Sequence, residues 1–103
     1  LLDVFIKKHT LSKKAHEQMI GLAHLDDDIA EIFHDKEIDT TKRIVSVLES
    51  NGIKCPNLFE RVHIIMGIVE NYCHEVVYHR HGNIDYNIMK NEVTKVVSYI
   101  LDI

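Results

Sequence analysis

Residues that interrupt helices are scarce in this chain of 103, which holds one proline and four glycines. Proline removes a helical donor and clashes with the preceding turn, and glycine loses the most backbone freedom on folding. With so few of either, long uninterrupted helices are open to the chain. Long apolar runs are missing too. None approaches the ~20 residues a helix needs to cross a bilayer, so no membrane partner is expected. The opening Leu1-Leu2-Asp3-Val4-Phe5 carries neither a basic flank nor a cleavage site. It therefore does not read as a secretory leader. Only two cysteines occur, Cys55 and Cys73. Without a leader they are expected as free thiols in a reducing, cytoplasmic setting.

Clustered basic charge is the next absence. The formal charge is −4 with the eight histidines counted as neutral, and Lys and Arg are scattered. A nucleic-acid surface needs those cations concentrated on one face to displace counterions, so these residues are not expected to touch DNA themselves. No GxSxG, P-loop, GxGxxG, HExxH or CxxC pattern is present. Cys55 lies beside Pro56, and Cys73 falls on an apolar helical face. Neither has the electropositive, open surroundings that activate a thiol. A hydrophobic fraction of 46% with 27% charge is ordinary for a globular fold. The length allows one domain, residues 1–103. The expectation is a binding domain without enzymatic activity or cofactor. Its first residue, Leu1, reads as the start of a fragment of a longer chain.

What the chain does contain is the punctuation of helices. Leu1 to His9 looks like the tail of one, with Leu2, Phe5, Ile6 and His9 along one side. The next runs from Lys13 to about His24, with a stripe of Leu11, Ala15, Met19 and Leu22 spaced three and four apart. Asp26-Asp27-Asp28 then opens a third, because aspartate accepts orphan N–H bonds and meets the positive end of the helix dipole. Asp28 and Glu31 have the spacing of a capping box. Asn51-Gly52 closes this helix after Ser50, glycine being the usual left-handed residue beyond a helix end. Pro56-Asn57 starts a fourth, with Asn57 and Glu60 as a second box, and it extends to about Arg80. Asp85 caps a fifth that runs to the end of the chain. No alternating pattern suggests a strand, so the fold class is all-α with about five helices.

Stepping each residue by about 100° around the axis places the apolar residues of the helix from 58 to 77 over an arc of roughly 200°. A surface helix facing one core needs about half of that. This helix is therefore expected to have two apolar neighbours, its own core and a second subunit. The last helix carries a compact stripe of Tyr86, Met89, Val93, Val96, Val97, Ile100 and Leu101. It is rich in valine, a mediocre helix former that needs packing to hold it. Within the third helix, between Phe33 and Ile44, the inward positions are Glu37, Thr40 and Thr41. An unpartnered buried hydroxyl or carboxylate is costly, so this stretch either bends out to solvent or lines a polar cavity.

Histidines concentrate in His74-Glu75-Val76-Val77-Tyr78-His79-Arg80-His81. A helical zinc site wants two histidines four apart on one face with a third ligand. His74 and His79 are five apart, and only Glu75 and His79 have the right spacing, so no metal site is expected.

Residues 21–33, Gly21-Leu22-Ala23-His24-Leu25-Asp26-Asp27-Asp28-Ile29-Ala30-Glu31-Ile32-Phe33, followed by Ile44 to Gly52, resemble the middle of TetR-family C-terminal domains. There a short helix ends in small apolar residues and an acidic turn, and a longer helix closes on glycine. Arg61 to Val77, with Gly67-Ile68-Val69-Glu70, is similar to the penultimate helix of that family. Ile84-Asp85-Tyr86 through Leu101 looks like its last. The resemblance implies a regulatory domain that forms a homodimer, its last two helices building a four-helix bundle with their counterparts. It also implies that operator DNA is bound only through a helix-turn-helix preceding these residues, and that a small, largely apolar effector enters a cavity among the remaining helices. On that reading the candidate effector contacts are Phe5, His9, His16, Met19, Phe33, Glu37, Thr40, Met66 and Tyr72. The candidate dimer contacts are Ile65, Val69, Tyr72, Val76, Met89, Val93, Val96, Val97 and Ile100. Two alternatives stand beside it: a helical module that binds another protein, and a metal- or redox-responsive sensor using His74, His79, His81 or the cysteines.

Overall fold

A computed structural model describes Ile6 and residues 13–103 (Lys13 as backbone only). Four helices follow one another: α1 Lys13–Leu25, α2 Asp27–Ser50, α3 Leu58–Tyr78 and α4 Tyr86–Ile100. No strand occurs among the described residues. The helix expected over Leu1 to His9 lies outside them, except for Ile6, which is helical and packs half-buried against the core.

Helix ends follow local chemistry, with corrections at the start of α2, at both ends of α3, and at the end of α4, which stops at Ile100 instead of running to the end of the chain. Only Asp26 separates α1 from α2, and it is Asp26, not Asp28, that caps α2. Its carboxylate accepts from the N–H groups of Asp28 at 2.9 Å and Ile29 at 3.3 Å. Asp27 and Asp28 fall in the first turn, where their charge meets the helix dipole. Three equivalent aspartates in a row leave the choice to where α1 stops. Asn57 does precede α3, but in the left-handed region (φ 57°, ψ 40°) and with no side-chain cap bond. An N-cap side chain reaches its donor from extended backbone, so the second capping box does not form, and α3 ends at Tyr78 rather than Arg80. Asp85 caps α4 as expected, accepting from Asn87 and Ile88 at 3.0 and 3.2 Å.

The C-termini of α2 and α4 share one device. Gly52, at φ 85°, turns α2 off, with Gly52 N–H donating to the Glu49 carbonyl and Ile53 N–H to that of Leu48. This paired bonding is the Schellman motif. Asp102 repeats it after α4 at φ 58°, with the Asp102 and Ile103 N–H groups reaching back to Tyr99 and Ser98. Arg61 on α3 ties that end down. Its guanidinium donates to the Ile100 carbonyl at 2.7 Å and lies 3.8 Å from the Asp102 carboxylate.

Helix α3 is the centre of the molecule, packing against α2 and α4, while α1 packs against α2. The core consists of Val62, Ile65, Val69, Tyr72 and Cys73 of α3 with Val93 of α4 and Leu101. Val62 and Cys73 are fully enclosed. Burying one such valine side chain contributes about 1.5–3 kcal/mol. The broad apolar arc of α3 thus finds both of its neighbours within one chain. The second subunit is not needed to explain it, and only Ile64 and Val77 of its large apolar residues remain exposed. The described core is thin: eight buried hydrophobic residues stand against fourteen large ones left exposed. The radius of gyration, 15.0 Å, exceeds the ~13 Å of a compact 100-residue domain. With dimensions of 40 × 36 × 18 Å, the molecule is a plate about two helices thick.

Two glycines should respond to alanine in opposite directions. At Gly67, inside α3, an added Cβ meets nothing within 4 Å, so Gly67→Ala should stabilise by about 0.5–1 kcal/mol. At Gly52 the left-handed backbone penalises any Cβ, and Gly52→Ala should cost about 1–2 kcal/mol. Thermal unfolding followed by circular dichroism reads both as Tm shifts of opposite sign, about 4–8 °C per kcal/mol for a domain of this size.

Candidate ligand sites and exposed apolar face

Between α2 and α3 runs a small polar crevice lined by Glu37, Thr41, His63, Met66, Gly67 and Glu70. Its volume is about 90 Å³, room for a few waters at ~30 Å³ each. The inward-facing hydroxyl suspected from the sequence is that of Thr41, which is completely buried. It donates to the Glu37 carbonyl one turn back at 2.9 Å and sits 3.3 Å from His63 Nδ1. Neighbouring Thr40 is half-buried and bonds the Lys36 carbonyl. The middle of α2 therefore satisfies its polar groups locally while lining a narrow crevice, and both ideas about this stretch hold in part.

At the far end of α3 the rings of His16, His74 and Tyr78 come together. His16 stacks on Tyr78 with centroids 4.4 Å apart and planes 9° apart, and it meets the His74 ring at 4.6 Å nearly edge-on. This junction fastens α1 onto α3. Around it, His79 lies 3.7 Å from the Glu17 carboxylate and His81 lies 3.5 Å from that of Glu75. The Tyr86 hydroxyl donates to Glu75 at 3.2 Å and accepts from the His81 N–H at 2.7 Å. Among the described residues no three His, Cys, Asp or Glu side chains form a group able to hold a metal ion.

A larger, open cavity of about 330 Å³ lies where Ile6, the end of α3 and the start of α4 meet. Tyr72, Val76, Arg80, Ile84, Tyr86, Asn87 and Lys90 complete its lining. Arg80 is positioned there by Nε, which donates to the Val76 carbonyl at 3.0 Å, and by its stacking 5.2 Å from the Tyr86 ring centre.

The candidate effector contacts do not converge on one cavity. Glu37 and Met66 share the narrow crevice, Tyr72 lines the open cavity, and His16 belongs to the ring junction. Met19 is 39% exposed on α1, Phe33 is half-buried on α2 and lines neither cavity, and Phe5 and His9 lie outside the described residues. The proposed dimer contacts are also redistributed. Ile65, Val69, Tyr72 and Val93 are spent in the core of one chain, and Val76, Met89, Val97 and Ile100 pack half-buried against it. Of that set only Val96 turns outward. It belongs to a series along one side of α4, Ile88, Glu92, Val96 and Tyr99, at spacings of four, four and three. Ile88 is 60% exposed and Tyr99 84% exposed. This second apolar stripe was hidden in the sequence, because Ile88 and Tyr99 border the buried stripe and Glu92 interrupts it.

The two cysteines differ. Cys73 is fully enclosed, and burial pushes its thiol up, with the charge of Glu70 adding to the effect. Cys55 is half-buried and free.

Compared with protein-family models, curated proteins and solved structures, the chain matches none.

Thiol labelling at neutral pH should therefore modify Cys55 and spare Cys73 until the chain unfolds, which mass spectrometry of the peptides reads directly. The raised Cys73 pKa also has a stability consequence. The folded state holds that proton more tightly than the unfolded chain, so the stabilisation is complete below the ordinary thiol pKa and is lost as pH climbs through the higher folded value. The denaturant midpoint should fall in that alkaline window, and Cys73→Val should lessen the fall.

Proposed function

We propose that this chain is the regulatory domain of a TetR-like DNA-binding regulator, pairing with a second copy and responding to a small effector. The observation that carries the reading is the exposed stripe of Ile88, Val96 and Tyr99 on the last helix. That helix has one apolar side in the core and another facing water, beside a partner helix that precedes it directly in the chain. A two-fold interface needs one self-complementary patch, and the outward stripe of α4 offers one where two copies could lay their last helices together. Tyrosine is favoured at such surfaces because it offers a large apolar body with a polar tip.

The order of elements also agrees with the resemblance: a short helix, an acidic turn, a long helix closed by glycine, then two antiparallel helices. The scattered basic charge and the net −4 suit a domain that leaves DNA contact to another part of the protein. A ligand would act by having different affinities for the DNA-competent and DNA-incompetent arrangements.

A second reading has its own observation. On α1, Met19, Leu22 and Leu25 are also exposed, Leu25 to 87%. That face suits a helical module that binds a different protein.

Sedimentation velocity separates the two readings. A dimer is expected, and the double variant V96D/Y99E should weaken it more than tenfold while helicity is retained, because two charges would be desolvated at the centre of the contact. A wild-type chain that stays monomeric at all concentrations would remove the basis of the regulator reading and leave the interaction module.

A further inference from the structure

The open cavity between the end of α3 and the start of α4 has a chemical asymmetry. Its lining combines Tyr72, Val76 and Ile84 with the cations Arg80 and Lys90. Two of the described carboxylates beside it are already committed. Glu75 accepts from the Tyr86 hydroxyl and faces His81, and Asp85 is held by the first N–H groups of α4. Arg80 is held by its Nε bond and by the Tyr86 ring. Its two terminal nitrogens make no ion pair among the described residues. A guanidinium fixed in this way keeps a planar fork suited to a carboxylate, and its ordering cost has already been met. The volume of about 330 Å³ is at the lower end of what small organic ligands occupy.

We propose that this cavity binds a small amphipathic carboxylate, its chain or ring against Tyr72, Val76 and Ile84 and its carboxylate on Arg80, with Lys90 adding positive charge. The site rests on the regulator reading, which gives such a ligand a purpose, but it differs from the scattered contacts expected from the sequence. Occupancy would brace the junction of α3 and α4, the same pair of helices whose outer side carries the exposed stripe. Effector and dimer contact would then share one structural unit.

Isothermal titration of the full chain with sodium octanoate, octan-1-ol and octylamine tests the assignment. Octanoate should bind saturably at one site per chain, the alcohol about tenfold more weakly, and the amine not at all. Arg80→Gln, on an exposed residue whose replacement leaves the core intact, should weaken octanoate about tenfold or more and leave the alcohol unchanged. Lys90→Gln should produce a smaller loss. No saturable octanoate binding, equal binding of amine and acid, or an Arg80→Gln variant that binds octanoate normally would each overturn the site. The oligomeric state is measured separately. A dimer that ignores octanoate removes this site and keeps the regulator, whereas a monomer that binds it keeps the site and removes the regulator.

Discussion

Burial of α3 on two sides is the constraint from which the rest of the structure follows. Val62, Ile65, Val69, Tyr72 and Cys73 form one continuous face, and a helix that apolar cannot be left on the surface. Helix α2 packs along one flank and α4 along the other. Because α4 follows α3 after a short connection, it must run back antiparallel, and Arg61 then lies beside the terminal carbonyl of Ile100. A cation placed on the negative end of a helix satisfies an orphan acceptor and favours the dipole. One side chain thus fixes where α4 ends relative to where α3 begins.

Helix α1 is held differently. Its apolar residues are small or only partly covered, with Met19 and Leu22 still in solvent. Its attachment to α3 runs through stacked rings, His16 on Tyr78 and against His74. Aromatic pairs of this kind contribute about 0.5–1.5 kcal/mol beyond the area they bury. That is less than a fully packed helix interface provides. Helix α1 also packs along α2, so its place is set by that helix contact together with the ring junction.

Several features join at the α3–α4 connection. The Glu75–Tyr86–His81 bonds close the turn, Arg80 stacks on Tyr86, and the open cavity lies beside them. On the outer side of α4 runs the exposed stripe of Ile88, Val96 and Tyr99. The cavity borders α4 at Tyr86, Asn87 and Lys90, on a different side of that helix from the stripe. The crevice between α2 and α3 is, by contrast, small and already satisfied by Thr41 and His63.

Fold class and most helix limits were legible from local chemistry alone. Asp85 as a cap, Gly52 as a stop and the scarcity of proline act within a few residues, where sequence distance and spatial distance coincide. The same locality explains the misplacements. Asp26, Asp27 and Asp28 are chemically equivalent, so only the observed end of α1 selects the first as the cap, and the backbone of Asn57 turned left-handed in a way its side chain did not announce. Periodicity also showed that α3 is apolar over too much of its circumference for one neighbour. It could not say which neighbours fill that arc, because a helical projection records how much surface must be covered and not by what. The packing decided that α2 and α4 of the same chain cover it, that the expected dimer contacts are mostly core, and that a second stripe on α4 faces water. It also brought Arg80, Tyr86 and Tyr72 to one cavity, although they lie on separate turns. Sequence determines the need for burial through side-chain chemistry; only the three-dimensional arrangement assigns the partner, since contact depends on distances that the chain order does not contain.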